Sequence, residues 1–114
     1  MRQLLQQCPD LDAVFVANDQ MALGALQACY REGLAIPDHL GVVGFDGISE
    51  SAYYFPSLST IAQDQAEMGA IAVTELVEFI EKSYQKEEPG EPSSIVMKPQ
   101  LIIRESSSRL EHLI

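Results

Sequence analysis

Two short apolar runs with a helix-patterned stretch between them constrain this chain more than any other feature. Ala13-Val14-Phe15-Val16-Ala17 and Leu40-Gly41-Val42-Val43-Gly44-Phe45 are continuously apolar, the pattern of strands covered on both faces. Between them Ala22, Ala25, Leu26 and Cys29 recur at helical spacing, forming one buried stripe. A helix of this length joining two buried strands is a β-α-β unit with a right-handed crossover. Each run stops at a polar pair, Asn18-Asp19 after the first and Asp46-Gly47 after the second. In open parallel sheets, ligands bind in the crevice outside the carboxyl ends of the strands. The expected fold class is therefore α/β, with parallel-sheet β-α-β layers, and the expected site is a small-ligand crevice using Asn18 and Asp46.

Helix signals place the rest. Residues 2 to 7 read as a helix that ends before Pro9, because a residue preceding proline is pushed out of the α region. Asp19 is the expected N-cap of a helix from Gln20 to Glu32, with Gly33 its stop. Met21, Leu23 and Tyr30 lie outside the buried stripe and imply either a wider core or a partner surface. The loop Ile48 to Ser57 carries Tyr53, Tyr54 and Phe55, either packed under it or forming a contact surface. Leu58 to Ala62 reads as a third strand.

Gln63-Asp64 opens a long helix to Lys82, with Asp64 as cap and Glu67 at capping-box spacing. Met68, Ile71, Ala72, Leu76, Phe79 and Ile80 trace its apolar faces, with Glu75 the polar member. Gly69 inside that helix costs ~1 kcal/mol relative to Ala, a cost usually offset by close approach of a neighbouring backbone. Residues 87 to 94 are loop by composition. Ile95-Val96-Met97 and Leu101-Ile102-Ile103 are expected to be short extended runs, and the tail from Ser106 onward is expected to fray.

Composition removes several classes of function. At 114 residues the chain has one domain's worth of sequence. No apolar run approaches the ~20 residues needed to span a bilayer. The first residues, Met1 to Gln7, lack the apolar core of a secretory signal, so a cytoplasmic location is expected. A net charge of −10 with only seven Lys and Arg argues against direct nucleic-acid binding, which needs a basic patch to neutralise phosphates. Cys8 and Cys29 show no metal or redox spacing. Cys29 lies on the apolar helix face, as a small buried hydrophobe would.

Asn18, Asp46 and Gln63 each follow the end of an apolar run. Parallel strands would bring these acceptor-rich side chains to one pocket, suited to the vicinal hydroxyls of a sugar or polyol. A purely structural reading competes: Asn18 and Asp19 cap a helix, and Asp46 shapes the turn before Gly47. Enzyme readings are thinner. Asp19 and Asp46 could pair for acid-base work, but Asp19 is better placed as a cap. His39 with Cys8 or Cys29 lacks a third orienting residue. A strand-end Asp46 invites comparison with a phospho-accepting receiver domain, but neither the acidic pair nor the late Lys such a domain needs is in place. There is no phosphate-cradling glycine loop and no zinc helix motif. No catalytic residue, cofactor or metal is expected.

The segments then resemble a known family. Asp12 to Ala25 (DAVFVANDQMALGA), Val42-Val43-Gly44-Phe45-Asp46, Phe55-Pro56-Ser57-Leu58-Ser59-Thr60-Ile61 with Gln63-Asp64, Met68 to Leu76, and Pro99 to Ser107 (PQLIIRESS) occur in one order. Together they resemble the C-terminal part of the effector-binding core of LacI/GalR transcriptional repressors, over about residues 3 to 107. Periplasmic sugar-binding transport proteins share similar segments, and Gly47 looks more like those, so a fragment of such a protein is the alternative. The repressor-like closing segments favour the former.

The resemblance implies a partial type I periplasmic-binding-protein-like fold, a sugar-like effector and no enzymatic activity. It implies that Asn18, Asp46 and Gln63 contact the effector, and that Leu23, Leu26, Gln27, Tyr30, Tyr53, Tyr54 and Phe55 lie at a dimer interface. Residues 1–62 would be the later half of the C-terminal lobe, 63–98 a helix and strand of the N-terminal lobe, 99–105 a returning strand and 106–114 a flexible tail. Hinges would run near Ala62-Gln63 and Pro99. Operator DNA would be reached only through a helix-turn-helix domain outside this chain. Uncovered edges recruit partners, so a homodimer or domain-swapped oligomer with weak or no sugar binding is expected of the chain alone.

Overall fold

A computed structural model describes residues 1–86, 88, 90 and 94–109. Its sheet has four strands, β1 (Ala13–Phe15), β2 (Gly41–Asp46), β3 (Ser59–Ala62) and β4 (Gln100–Ile102), in the order β1-β2-β3-β4. The first three are parallel, and β4 runs antiparallel to β3. The helices are α1 (Arg2–Gln7), α2 (Asp19–Arg31) and α3 (Gln65–Tyr84), with 3-10 turns at Ser49–Tyr53 and Glu105–Ser107. The chain divides into two compact units: Met1–Gln63 with the described residues from Gln100 onward, and Asp64–Pro99.

In the first unit the expected stripe is the core. Ala22, Leu26 and Cys29 of α2 are buried with Leu40, Val42 and Leu58, and Val14, Val16, Leu34, Ile36 and Tyr54 pack around them. Burial raises the pKa of the Cys29 thiol, chiefly by desolvation, as expected of a structural cysteine. Val14 and Val42 are register partners on the face that meets α2. The next pair, Phe15 and Val43, points to the opposite face, because side chains alternate along a strand. There Phe15 is 60% exposed and meets Phe45 edge-to-face at 6.3 Å. The expectation of strands covered on both faces is thus corrected for β1, whose outer residues are exposed.

The closing segment also departs from expectation. Ser106 does not fray; it is fully buried. Its hydroxyl donates to the Val42 carbonyl at 2.6 Å and accepts from the Ser59 amide at 2.8 Å. Arg104 donates to the Ser51 hydroxyl at 2.9 Å and to the Leu58 carbonyl at 2.8 Å. Arg109 reaches the carbonyls of Pro37 and Asp12 at 3.1 and 3.0 Å. A hydroxyl-rich run looks like loop in a sequence, but here it satisfies buried backbone groups that would otherwise be costly to leave unpaired. Residues 110–114 of the expected tail lie outside the described residues.

In the second unit, Asp64 caps α3 by accepting from the Glu67 amide at 2.9 Å. No residue of α3 is buried. Nothing lies within 4 Å of where a Gly69 Cβ would sit, so the close backbone approach expected there is absent. Ile95 to Met97 form no strand. An extended run becomes a strand only by pairing, and no strand among the described residues pairs with it. Ile95 and Met97 instead join Met68, Ile71, Ala72 and Glu75 around a groove of about 230 Å³.

Candidate functional site at the strand ends

The carboxyl ends of β1, β2 and β3 share one edge because the three strands are parallel. Phe15 is level with Val43, and the Val16 amide still reaches the Val43 carbonyl at 2.8 Å. Three residues further on, the two chains arrive at Asn18 and Asp46. Asp46 is level with Ala62, so Gln63 follows immediately on β3. The edge therefore carries all three residues expected to contact a ligand.

Their local roles differ from one another. Asn18 is the N-cap of α2: its backbone is extended and its side-chain oxygen accepts from the Met21 amide at 2.8 Å. This corrects the expectation that Asp19 caps the helix. One residue's shift matters because the cap must be the last extended residue, with the next already helical. Capping occupies the Asn18 oxygen while leaving its amide protons to donate.

Asp46 lies in a region of backbone space that residues other than glycine seldom adopt, with φ 105°. Such a conformation costs ~1–3 kcal/mol and persists only where the surroundings impose it, often at binding sites. Gly47 follows with φ 73°. A Cβ there would lie 2.5 Å from the Ala62 Cβ, so only glycine lets the turn pass so close to β3. The Gln63 amide donates to the Asp46 carbonyl at 3.4 Å. Among the described residues, the side chains of Asp46 and Gln63 make no hydrogen bond, and both are half-buried. Partly sheltered acceptors without partners of their own are available to a ligand.

Sequence reasoning took Asp19 for a helix cap and missed its buried role. It is fully buried; one carboxylate oxygen accepts from the Ile48 amide at 2.9 Å and the other from the Thr60 hydroxyl at 2.6 Å. Its position in the first turn of α2 adds the favourable helix dipole. Gly44, level with Thr60, leaves the space: a Cβ there would collide with the Asp19 carboxylate and come within 2.9 Å of Leu58 Cδ2. Burial raises the pKa of the Tyr54 phenol, with the Asp19 and Glu50 carboxylates adding to the effect.

The expected dimer-interface residues divide. Leu23, Tyr30, Tyr53 and Phe55 are 47%, 76%, 88% and 95% exposed, and Gln27 is exposed. Leu26, at 4% exposure, is a core residue and cannot meet a partner. Tyr54 is half-buried and packs against the core. The structure therefore separates the loop aromatics, with the middle one inside and its neighbours outside. Among the described residues no group of His, Cys, Asp or Glu is arranged to hold a metal. No described helix is long and apolar enough to cross a membrane.

Comparison with known proteins gives this edge a context. Residues 1–107 match the model of the periplasmic binding protein-like domain. The transcriptional repressor PurR of Pasteurella multocida (strain Pm70) is 42% identical over 111 residues, which are 96% of this chain and 32% of that protein. Among solved structures, a complex of the regulator CelR with cellobiose superposes with TM-score 0.84 at 34% identity, over 93% of this chain and 31% of that one. A lac repressor dimer bound to operator and the anti-inducer ONPF superposes with TM-score 0.79 at 32% identity, over 92% and 35%. The chain spans about a third of the length of the curated relatives it matches. Those relatives are transcriptional regulators and not enzymes. The chain belongs to the periplasmic binding protein-like domain family, within which its relatives are the LacI-type repressors.

Proposed function

We propose that this chain is the effector-binding and dimerisation part of a cytoplasmic LacI-type transcriptional regulator, and that its effector is a sugar-like molecule. The observation that carries the proposal is the strand-end edge, where Asp46 and Gln63 present unengaged acceptors beside the amide protons of Asn18. Such a set matches the paired hydroxyls of a sugar, and the related CelR was solved with cellobiose. The division between Gln63 and Asp64 and again between Pro99 and Gln100 is where the hinge between two lobes would run, with residues 64–99 contributing to the second lobe. DNA would be engaged by a helix-turn-helix domain elsewhere in the whole protein, since a net charge of −10 repels phosphates. Leu23, Gln27, Tyr30, Tyr53 and Phe55 would face the sister subunit, as large exposed apolar side chains favour association.

The test is an amide-shift titration of the chain with cellobiose and lactose by NMR. Weak binding, at about 1 mM or above, is expected because free energies near −4 kcal/mol suit a partly formed pocket. Shifts should centre on Asn18, Asp46, Gly47 and Gln63. Shifts confined to other regions would refute the sugar assignment. Sedimentation at micromolar concentration should show a dimer or larger species. A monomer there would remove the dimerisation claim, and Tyr30→Ser with Phe55→Ser should weaken any dimer observed.

A further inference from the structure

We propose that Asp19 is the positioning residue of the strand-end edge: its buried carboxylate sets the backbone geometry that presents Asp46. This rests on the edge being an effector site, but the geometric claim can be tested without a ligand. Asp19 stands between three strand ends. It opens α2 directly after Asn18, and its two oxygens accept from the Ile48 amide at 2.9 Å and the Thr60 hydroxyl at 2.6 Å. The first bond fixes the chain two residues beyond Asp46. The second holds β3 where it faces Gly44, its register partner at Thr60.

The alternative is a carboxylate buried only for stability, and three observations weigh against it. A fully buried charge is expensive unless both oxygens are satisfied, and replacing such a group with an apolar residue often costs a fold nothing. Here the donors come from the two segments that bracket Asp46. Asp46 holds φ 105°, a conformation that must be imposed from outside because an aspartate does not prefer it. Gly44 also lacks the Cβ that would strike this carboxylate, so the strand leading into Asp46 is shaped around Asp19. Anchoring Ile48 on one side while Gln63 holds the Asp46 carbonyl at 3.4 Å on the other leaves the turn between them little freedom. Asp19 thus acts on a ligand through Asp46 and need not touch it.

Asp19→Ala tests this, because a methyl group accepts from neither donor and leaves the Ile48 amide and the Thr60 hydroxyl without their partner. In the variant chain, Ile48 amide exchange should accelerate by about tenfold or more, as a released local bond would allow. The three-bond HN–Hα coupling of Asp46 should leave its positive-φ value. Gly44→Ala, which displaces the carboxylate without removing any polar group, should reproduce both changes. Thr60→Val should show them in part, and Thr60→Ser, which keeps the hydroxyl, should restore the native pattern.

A merely structural role would lower the melting temperature and leave the folded Asp46 unchanged. The proposal is overturned if Asp19→Ala, or Gly44→Ala should the first not fold, keeps native Ile48 protection and Asp46 coupling. Cellobiose-induced shifts at Asp46 and Gln63 should vanish in Asp19→Ala. Asp46→Ala should also lose them while retaining Ile48 protection. If cellobiose shifts in the unaltered chain fall only outside the strand-end edge, the effector assignment fails, and the exchange and coupling data still decide the role of Asp19.

Discussion

Helices α2 and α3 make opposite use of similar sequence patterns. The shorter, at 13 residues, buries Asp19, Ala22, Ala25, Leu26 and Cys29; the longer, at 20, buries none. Yet Val73, Leu76, Val77, Phe79 and Ile80 of α3 are as apolar as anything in α2, and all are between 43% and 62% exposed. Propensity and periodicity thus state what a helix is able to bury, whereas burial needs a second surface. In α2 that surface is β2 with Leu40 and Leu58. Among the described residues of its own unit, α3 finds no such surface beyond the shallow contact with Ile95 and Met97. Helical stability in proteins comes mostly from packing an apolar face, so α3 rests on its cap at Asp64 and on that shallow contact.

Matched truncations in α2 and α3 should differ most in their effect on stability. Leu26→Ala should destabilise the chain by about 2–5 kcal/mol, the usual cost of a cavity in a packed core. Leu76→Ala should change stability by less than about 0.5 kcal/mol, as exposed substitutions do. Urea denaturation followed by circular dichroism measures both. A large loss in Leu76→Ala that grows with protein concentration would mean that α3 is covered in solution by a second copy. A large loss independent of concentration would contradict the exposure described for α3.

The next effect concerns the closing segment. Ser106→Ala removes the hydroxyl that joins Val42 to Ser59 and leaves the Ser59 amide buried without its partner. The expected loss is about 1–3 kcal/mol, the cost of an unsatisfied buried group, measurable as a lower urea midpoint. Thermolysin cleavage near residue 107 should also become faster. Unchanged stability would mean that a water replaces the hydroxyl, and that residues 104–109 add little to unit 1.

Much of the sheet was legible in the sequence because apolar runs of four to six residues closed by Asn, Asp or Gly have few alternatives. The exchange of roles between Asn18 and Asp19 was not, because both residue types cap helices equally well. Only the backbone at Asn18, extended with φ −154°, decides between them. The role of Asp19 depends on Thr60 and Ile48, which lie 41 and 29 residues away and meet it only through strand register. Leu26 illustrates a different limit: a helix face toward the core and a face toward a partner are both apolar, and spacing alone does not divide them. Ile95 to Met97 carry strand-forming residues but lack a strand to pair with, a requirement no local pattern can express.

The smallest expected effect is a pH dependence of the closing segment of unit 1. Glu105 is fully exposed, but its carboxylate accepts from both the amide and the hydroxyl of Ser57 at 2.9 Å. These bonds hold its pKa below the ordinary value of 4.5, the backbone amide contributing most. A carboxyl whose folded pKa lies below its unfolded one adds stability that is fully present above the unfolded value. That stability is lost as pH falls through the folded value. Wild-type chain should therefore lose more stability than Glu105→Gln on acidification through and below about pH 4.5, where such a carboxyl titrates, while the two respond alike between neutral and mildly acidic pH. Parallel melting curves for wild type and Glu105→Gln down to pH 3 would show that the Ser57 bonds tie the closing segment no more firmly than solvent does.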